Sequence, residues 1–209
     1  MKKPKKYIVM AKSGAGKDKI LKELTDLNIG FIPCISHTDR IIRDGETYGV
    51  EYYFTPTLNM EQMIYSDEFI ETRTYETKHG TWLYGLSKSA FDVGNITIVD
   101  LEGTKEICDY YGRENIEVIN LVASPSERIA RSIHRQEKEI NEEIRTGKFE
   151  ILDEIIRRIK DDEIKFSGSE EFSDHVLVNE YMGDFYGNVD YISRLFINNN
   201  QYSEEGELV

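Results

Sequence analysis

The chain has 209 residues, 39% hydrophobic and 31% charged, the make-up of a globular domain large enough to bury a real core. Its 26 Lys and Arg stand against 39 Asp and Glu, a formal net charge of −13, which argues against nucleic acid or an anionic membrane as partner. A small anionic substrate, gripped by a local cluster of Arg and Lys, stays open. No segment reaches the length of a membrane span or a signal-peptide core, and Cys34 and Cys108 stand alone. The expectation is a cytoplasmic protein with two free thiols and no zinc framework.

Short apolar runs alternate with helical patterns, which predicts an α/β fold with a parallel sheet and crossover helices. Strands are expected at residues 7–10, 31–35, 97–101, 117–122 and 175–178. Helices are expected at 17–27, 105–111, 125–143, 150–164 and 189–197. The stretch 36–84, rich in aromatics, Thr and charge, reads as an inserted, substrate-facing subdomain. The polar, acidic segment 198–209 reads as a loose end.

The first strand runs into Ala11-Lys12-Ser13-Gly14-Ala15-Gly16-Lys17-Asp18 and then a helix. Small residues at Ser13, Gly14, Ala15 and Gly16 let successive N–H groups wrap a phosphate at a helix N-terminus. Lys17 then reaches the β- and γ-phosphates of ATP. The usual pattern, GxxxxGK[ST], is broken at both ends. Ala11 replaces the first Gly, and Asp18 replaces the hydroxyl residue that binds Mg²⁺. A carboxylate beside a triphosphate repels it unless a cation intervenes. Asp18 is therefore either a direct or water-bridged Mg²⁺ ligand or the mark of a disabled site.

Arg40 and Arg43, three residues apart and flanked by Ser, Thr and Tyr, suit a second phosphate, although scattered charges on a solvated loop have the same look. The stretch from Ser36 onward resembles the GMP-binding segment of guanylate kinases, whose pattern is roughly SxSHTTRxxRxGExxGxxYxF. Ser36, His37, Thr38, Arg40, Arg43, Gly45, Glu46, Gly49, Tyr52 and Phe54 all fall in place. Glu68-Phe69-Ile70-Glu71 is similar to the family's EFxE, and Tyr84-Gly85-Leu86-Ser87-Lys88 to its YYG[TS]SK. The resemblance implies that Arg40, Arg43, Tyr52 and Tyr84 hold the acceptor's phosphate while Glu71 and Ser36 bond the base. The chemistry of Glu71 agrees, because a carboxylate accepts from both N1–H and the exocyclic amine of guanine. Leu86 departs from the family, standing where a Ser or Thr also contacts the base. Asp39, Ile41-Ile42 and a residue inserted near Trp82-Leu83 are further departures.

Residues 96–103 form an apolar strand ending in acid, the place for a carboxylate that orients Mg²⁺ water or the acceptor. By resemblance Asp100 and Glu102 match the family's two acids; helix capping is the plainer alternative. Ser124-Pro125-Ser126-Glu127 is a helix start. The resemblance makes Arg131, Arg135 and Arg158 lid arginines that close over the transferring phosphate. Arg128 reads instead as part of a helix laced by surface charge pairs. The segment 137–149 is longer than the family's lid. Val176-Leu177-Val178-Asn179 is similar to a late family strand whose Asn179-equivalent lies near adenine; a core strand with a turn residue is the alternative.

Taken with the resemblance, the expectation is a P-loop NTPase three-layer α/β fold with an inserted NMP-binding subdomain and a helical lid. Its core spans 1–35, 87–130 and 158–197, its NMP-binding subdomain 36–86 and its lid 131–157. The implied activity is Mg²⁺-dependent transfer from ATP to GMP or dGMP by a monomer or homodimer. Asp18 and Asp100 are the expected metal ligands, partly through water. Relaxed base selectivity, as in virus-type deoxynucleotide kinases, and a non-catalytic phosphopeptide-binding module are the alternatives.

Overall fold

The computed structural model describes residues 3–77 and 80–204, the last four as backbone only. The chain begins with β1 (Lys6–Ala11), α1 (Lys17–Asp26), β2 (His37–Thr38), β3 (Tyr53–Phe54), α2 (Thr57–Tyr65), β4 (Phe69–Thr77), β5 (Gly80–Ser87) and α3 (Lys88–Val93). It continues with β6 (Ile96–Ile98), α4 (Leu101–Tyr111), a 3-10 turn (Arg113–Asn115), β7 (Ile116–Val122), α5 (Pro125–Arg135) and α6 (Glu137–Thr146). Then come α7 (Glu150–Lys165), α8 (Ser169–Phe172), β8 (His175–Val178) and α9 (Met182–Glu204).

β1 sits at the centre because both its edges are paired and both its faces are covered. The first sheet is parallel, in the order β6-β1-β7-β8. Side chains alternate across a strand, so the apolar run of β1 feeds two cores. Tyr7, Val9 and Ala11 pack with Ile20 and Leu24 of α1 and Phe185, Val189, Ile192 and Phe196 of α9. Ile8 and Met10 pack on the opposite face with Phe91, Leu101, Ile107, Cys108 and Phe166. Helices on both faces of a parallel sheet make three layers.

The second sheet has the order β3-β2-β5-β4, with β2–β3 parallel and the other pairs antiparallel. A bulge between Phe69 and Glu71 shifts the register of β4 on β5, placing Glu71 opposite Leu86. The chain returns to the core at Ser87, whose hydroxyl caps α3 by accepting from Ala90 N–H.

Three local expectations are corrected. Residues 31–35 form no strand: the segment lies along β6 with a single bridge, Pro33 to Ile96. Proline has no N–H to continue a ladder. The helix expected at 125–143 is two helices broken at Gln136 (φ −117°, ψ 20°). The bend lets α6 return against α7, burying Ile140 and Ile155 at 5% exposure each. Residues 198–204 are no loose end but the last turns of α9, where Asn199 Nδ2 donates to the Tyr7 hydroxyl at 3.2 Å. Residues 205–209 lie outside the described residues. None of the described helices is long and apolar enough to cross a membrane.

Candidate active site

The glycine loop joins β1 to α1. Gly14 and Gly16 have φ of +81° and +99°, which side-chain-bearing residues rarely adopt, and Gly16 caps α1. A Cβ on Gly14 would lie 2.7 Å from the Arg128 carbonyl oxygen, and one on Gly16 2.7 Å from Asn179 Nδ2. Ala11 ends β1, paired with Leu121 and 5% exposed, so that position makes no demand for glycine. Lys17 opens α1 with its Nζ 3.5 Å from Asp18 Oδ2, and the Asp18 side chain is 77% exposed.

Behind the loop stands Arg128, a residue the helical spacing had left among surface pairs. It is 1% exposed, so that reading is corrected. Its Nε donates to Ser13 O at 2.9 Å, Nη2 to Asp162 at 3.0 Å and Nη1 to Glu163 at 2.9 Å. Asp162 Oδ2 in turn accepts the Ser13 N–H at 2.7 Å. The signal was the helix face: Arg128 and Ser132, four residues apart, are the buried positions of α5.

Arg131 does not pair forward along its helix. It bonds Glu127 at 2.9 Å and the Asn179 and Glu180 carbonyls at 2.8 and 2.7 Å. Longer contacts reach Gly14 O and Ala15 O. Asn179, 3% exposed, lies under the loop and donates to Ala15 O at 2.7 Å; its Oδ1 has no partner. Arg135 ends α5, exposed, and the break at Gln136 takes it off the helix that carries Glu139. Arg158, on α7, bonds Glu154 at 2.7 Å; Arg157 and Arg158 together hold the Glu154 carboxyl down at about 2.

On the second sheet Arg40 is 5% exposed, held in a two-pronged bond by Glu46 at 2.9 and 2.8 Å. Its guanidinium lies 5.5 Å from the Tyr52 and Phe54 ring centroids, and its Nε is buried without a partner. Tyr52 and Tyr75 each meet Tyr84 edge-on, at 5.5 and 5.3 Å. Burial, then Tyr84 and Asp18, push the Tyr52 hydroxyl up to about 12, which brings the glycine loop within electrostatic reach of this cluster. Arg43 is exposed, and its backbone meets Glu46: its N–H donates to the carboxylate and its carbonyl accepts from the Glu46 N–H. Ser36 is half-buried, and its carbonyl accepts from Tyr53 N–H.

Glu71, 6% exposed on β4, faces Asp100 across Gly103. A Cβ on Gly103 would lie 3.4 Å from an oxygen of each. Burial lifts the Glu71 carboxyl to about 7, against the pull of Arg73 and the Leu86 N–H. Asp100 caps α4 through Gly103 N–H at 2.9 Å and accepts the Tyr75 hydroxyl at 3.1 Å. Capping and a place in the pocket thus coexist at Asp100. Glu102 stays 76% exposed. Leu86 turns its side chain wholly into the core.

A parallel sheet with a glycine loop between its central strand and first helix defines a P-loop nucleotide-binding protein. The guanylate kinase family model matches residues 3–194, and the chain belongs to that family. It is 27% identical over 83% of its length, and 75% of the relative's, to a protein named guanylate kinase from Chromohalobacter salexigens. It is 30% identical to one from Baumannia cicadellinicola, covering 70% of this chain and 76% of that one. The fold is similar to a solved guanylate kinase from Anaplasma phagocytophilum (TM-score 0.61, 22% identity, 93% and 85% of the two chains covered).

Proposed function

We propose that this chain transfers the γ-phosphate of ATP to GMP or dGMP. What carries the reading is the meeting of Glu71 and Asp100 over Gly103, beside the Arg40–Tyr52–Tyr84 cluster and within the field of Asp18. On this reading a base pocket, an anion grip and a triphosphate loop would share one neighbourhood. The partnerless Arg40 Nε supports it further, since buried donors in proteins are normally satisfied.

In this reading Glu71 accepts from N1–H and the exocyclic amine of guanine, with Ser36 and Asp100 alongside. Arg40, Arg43, Tyr52 and Tyr84 hold the acceptor's phosphate. The N–H groups of residues 13–18 and the Lys17 ammonium hold the donor's phosphates. Asn179 and Arg131 act on the donor through the loop they brace. In-line transfer needs no protein nucleophile, so positioning and charge carry the step. Arg135, exposed at the end of α5, and Arg158, half-buried on α7 and paired with Glu154, would swing onto the transferring phosphoryl group as α6 and α7 close and exclude water.

The residues fit Mg²⁺. Among the described residues no cluster of three or more His, Cys, Asp or Glu forms a metal cage, and Mg²⁺ commonly uses one or two carboxylates, phosphate oxygens and water instead. Asp18, exposed and paired with Lys17, would supply the carboxylate. Asp100, occupied by Tyr75 and Gly103, would act through water. When bound, the ion offsets charge on the phosphates.

A coupled assay with ATP and Mg²⁺ over GMP, dGMP, AMP, dTMP and dCMP tests the reading. GMP and dGMP are expected to react far faster than the rest. Equal rates with dTMP or dCMP would remove guanine selectivity. Binding of GMP without transfer to any acceptor would leave a silent binding module.

A further inference from the structure

Arg73 lies two residues beyond Glu71 on β4, hence on the same face of the strand. Its side chain is 13% exposed and reaches four carboxylates: Glu106 at 3.0 Å, Asp100 at 3.4 Å, Glu102 at 3.7 Å and Glu71 at 4.0 Å. Nη1 also donates to Thr72 O. Among the described residues Arg73 is the one cation paired with Glu71. Its Nη2 is buried and, among the described residues, bonds nothing. The acids already hold the group in place, so the idle Nη2 is a donor left over after the structural work is done.

Guanine presents two donors and one acceptor along its Watson–Crick edge. Glu71 matches the donors, and the O6 keto oxygen then needs a donor of its own, because an unpaired carbonyl in a buried site is costly. The position opposite Glu71 on β5 offers no hydroxyl, because Leu86 points its side chain into the core. Ser87 beside it is 1% exposed, and its hydroxyl is shared between the Ala90 N–H it accepts and the hydroxyl of Ser89. A guanidinium is the side chain most often used to bond guanine O6. Adenine would bring an amine to the same place, a donor against a cationic donor.

Resting on the function proposed above, the geometry points to Arg73 as a specificity-determining residue that donates to the O6 oxygen of the acceptor purine. A carbonyl oxygen that reaches Nη2 displaces no protein hydrogen bond, so the guanidinium gives up no partner for the contact. Glu71 and Arg73 then read donor–donor–acceptor as a pair, and the selectivity lost with a polar residue at position 86 is supplied from β4.

The test compares wild type, Arg73→Gln and Arg73→Lys with GMP, IMP and 6-thio-GMP, by kcat and KM and by calorimetric binding. IMP keeps O6 and lacks the amine; 6-thio-GMP keeps both donors and replaces O6 with sulfur, a weak acceptor. Arg73→Gln is expected to weaken GMP and IMP alike by about 30-fold, mostly in KM, and 6-thio-GMP by about threefold or less. Arg73→Lys recovers part of the loss. Equal losses for GMP and 6-thio-GMP would mean that Arg73 only braces the acids, and no loss with GMP would remove it from the site. If wild type binds GMP but transfers no phosphate, the calorimetric arm alone decides this contact while the proposed activity fails.

Discussion

Arg128 Nε donates to the carbonyl oxygen of Ser13 at 2.9 Å, and Asp162, the ion-pair partner of that same arginine, accepts the Ser13 N–H at 2.7 Å. One residue of the glycine loop is thus held at both its polar backbone groups by a salt bridge between α5 and α7. Arg128→Met leaves Asp162 without its partner. The expected cost is about 3 kcal/mol, or roughly 8 °C in Tm, because removing one side of a buried pair strands the other. KM for ATP is expected to rise while KM for GMP stays within about twofold. Adding Asp162→Leu to that variant should recover much of the Tm, which thermal unfolding of the single and double variants checks.

The two loop glycines are unequal. A methyl group on Gly14 meets backbone, the Arg128 carbonyl oxygen, whereas on Gly16 it meets the end of the Asn179 side chain. Both carry the left-handed strain of about 1–2 kcal/mol. Gly14→Ala is therefore expected to damage ATP affinity more than Gly16→Ala, a ranking that nucleotide titration of the two variants gives directly.

With Glu71 holding the base as proposed, binding and stability are expected to respond oppositely to pH. Its carboxyl is lifted from 4.5 to about 7 in the folded chain. The folded state therefore holds the proton more tightly than the unfolded one. The resulting stability is fully present below pH 4.5 and is lost as the pH rises through 7, an amount of about 3 kcal/mol. Accepting from guanine needs the ionised form, so kcat/KM for GMP is expected to fall about tenfold per pH unit below 7. Glu71→Gln should flatten both profiles.

Asp18 separates two meanings of one substitution. As the carboxylate that meets Mg²⁺, it is replaceable by a hydroxyl, and Asp18→Ser is expected to keep most activity. Asp18→Ala should raise the Mg²⁺ concentration for half-maximal rate about tenfold. A gain of activity in Asp18→Ser would instead mark the native residue as disabling.

Much of the fold was legible because its signals are local. The apolar run of β1, the glycine loop and the Ser124-Pro125 helix start each lie within a few neighbouring residues, and each element formed. Non-local outcomes were not legible. Whether residues 31–35 complete a strand depends on a three-residue partner, β6, and on Pro33 lacking its donor. The break at Gln136 depends on α7 being there to receive α6. Within the candidate site, Arg40 and Asp100 stood out by their own neighbours, while Glu71, Tyr52 and Tyr84 stood out through the family resemblance. Arg128 offered only the face it shares with Ser132, and Arg73 offered nothing, since their carboxylate partners Asp162 and Glu106 come from distant elements. A buried arginine is defined by what folds against it.

Leu86 belongs to two systems at once. Its side chain, fully enclosed, packs in the cluster that includes Ile8, Met10 and Phe91, while its N–H steadies Glu71. Installing a serine there to add a base contact would empty a core site, at about 3 kcal/mol or more. The wall of the proposed guanine pocket is therefore not a free variable: its chemistry can be rewritten only together with the core packing against Ile8 and Met10. A change at Arg73 on β4 would instead spare that core, since its partners are the acids of β4 and of the start of α4.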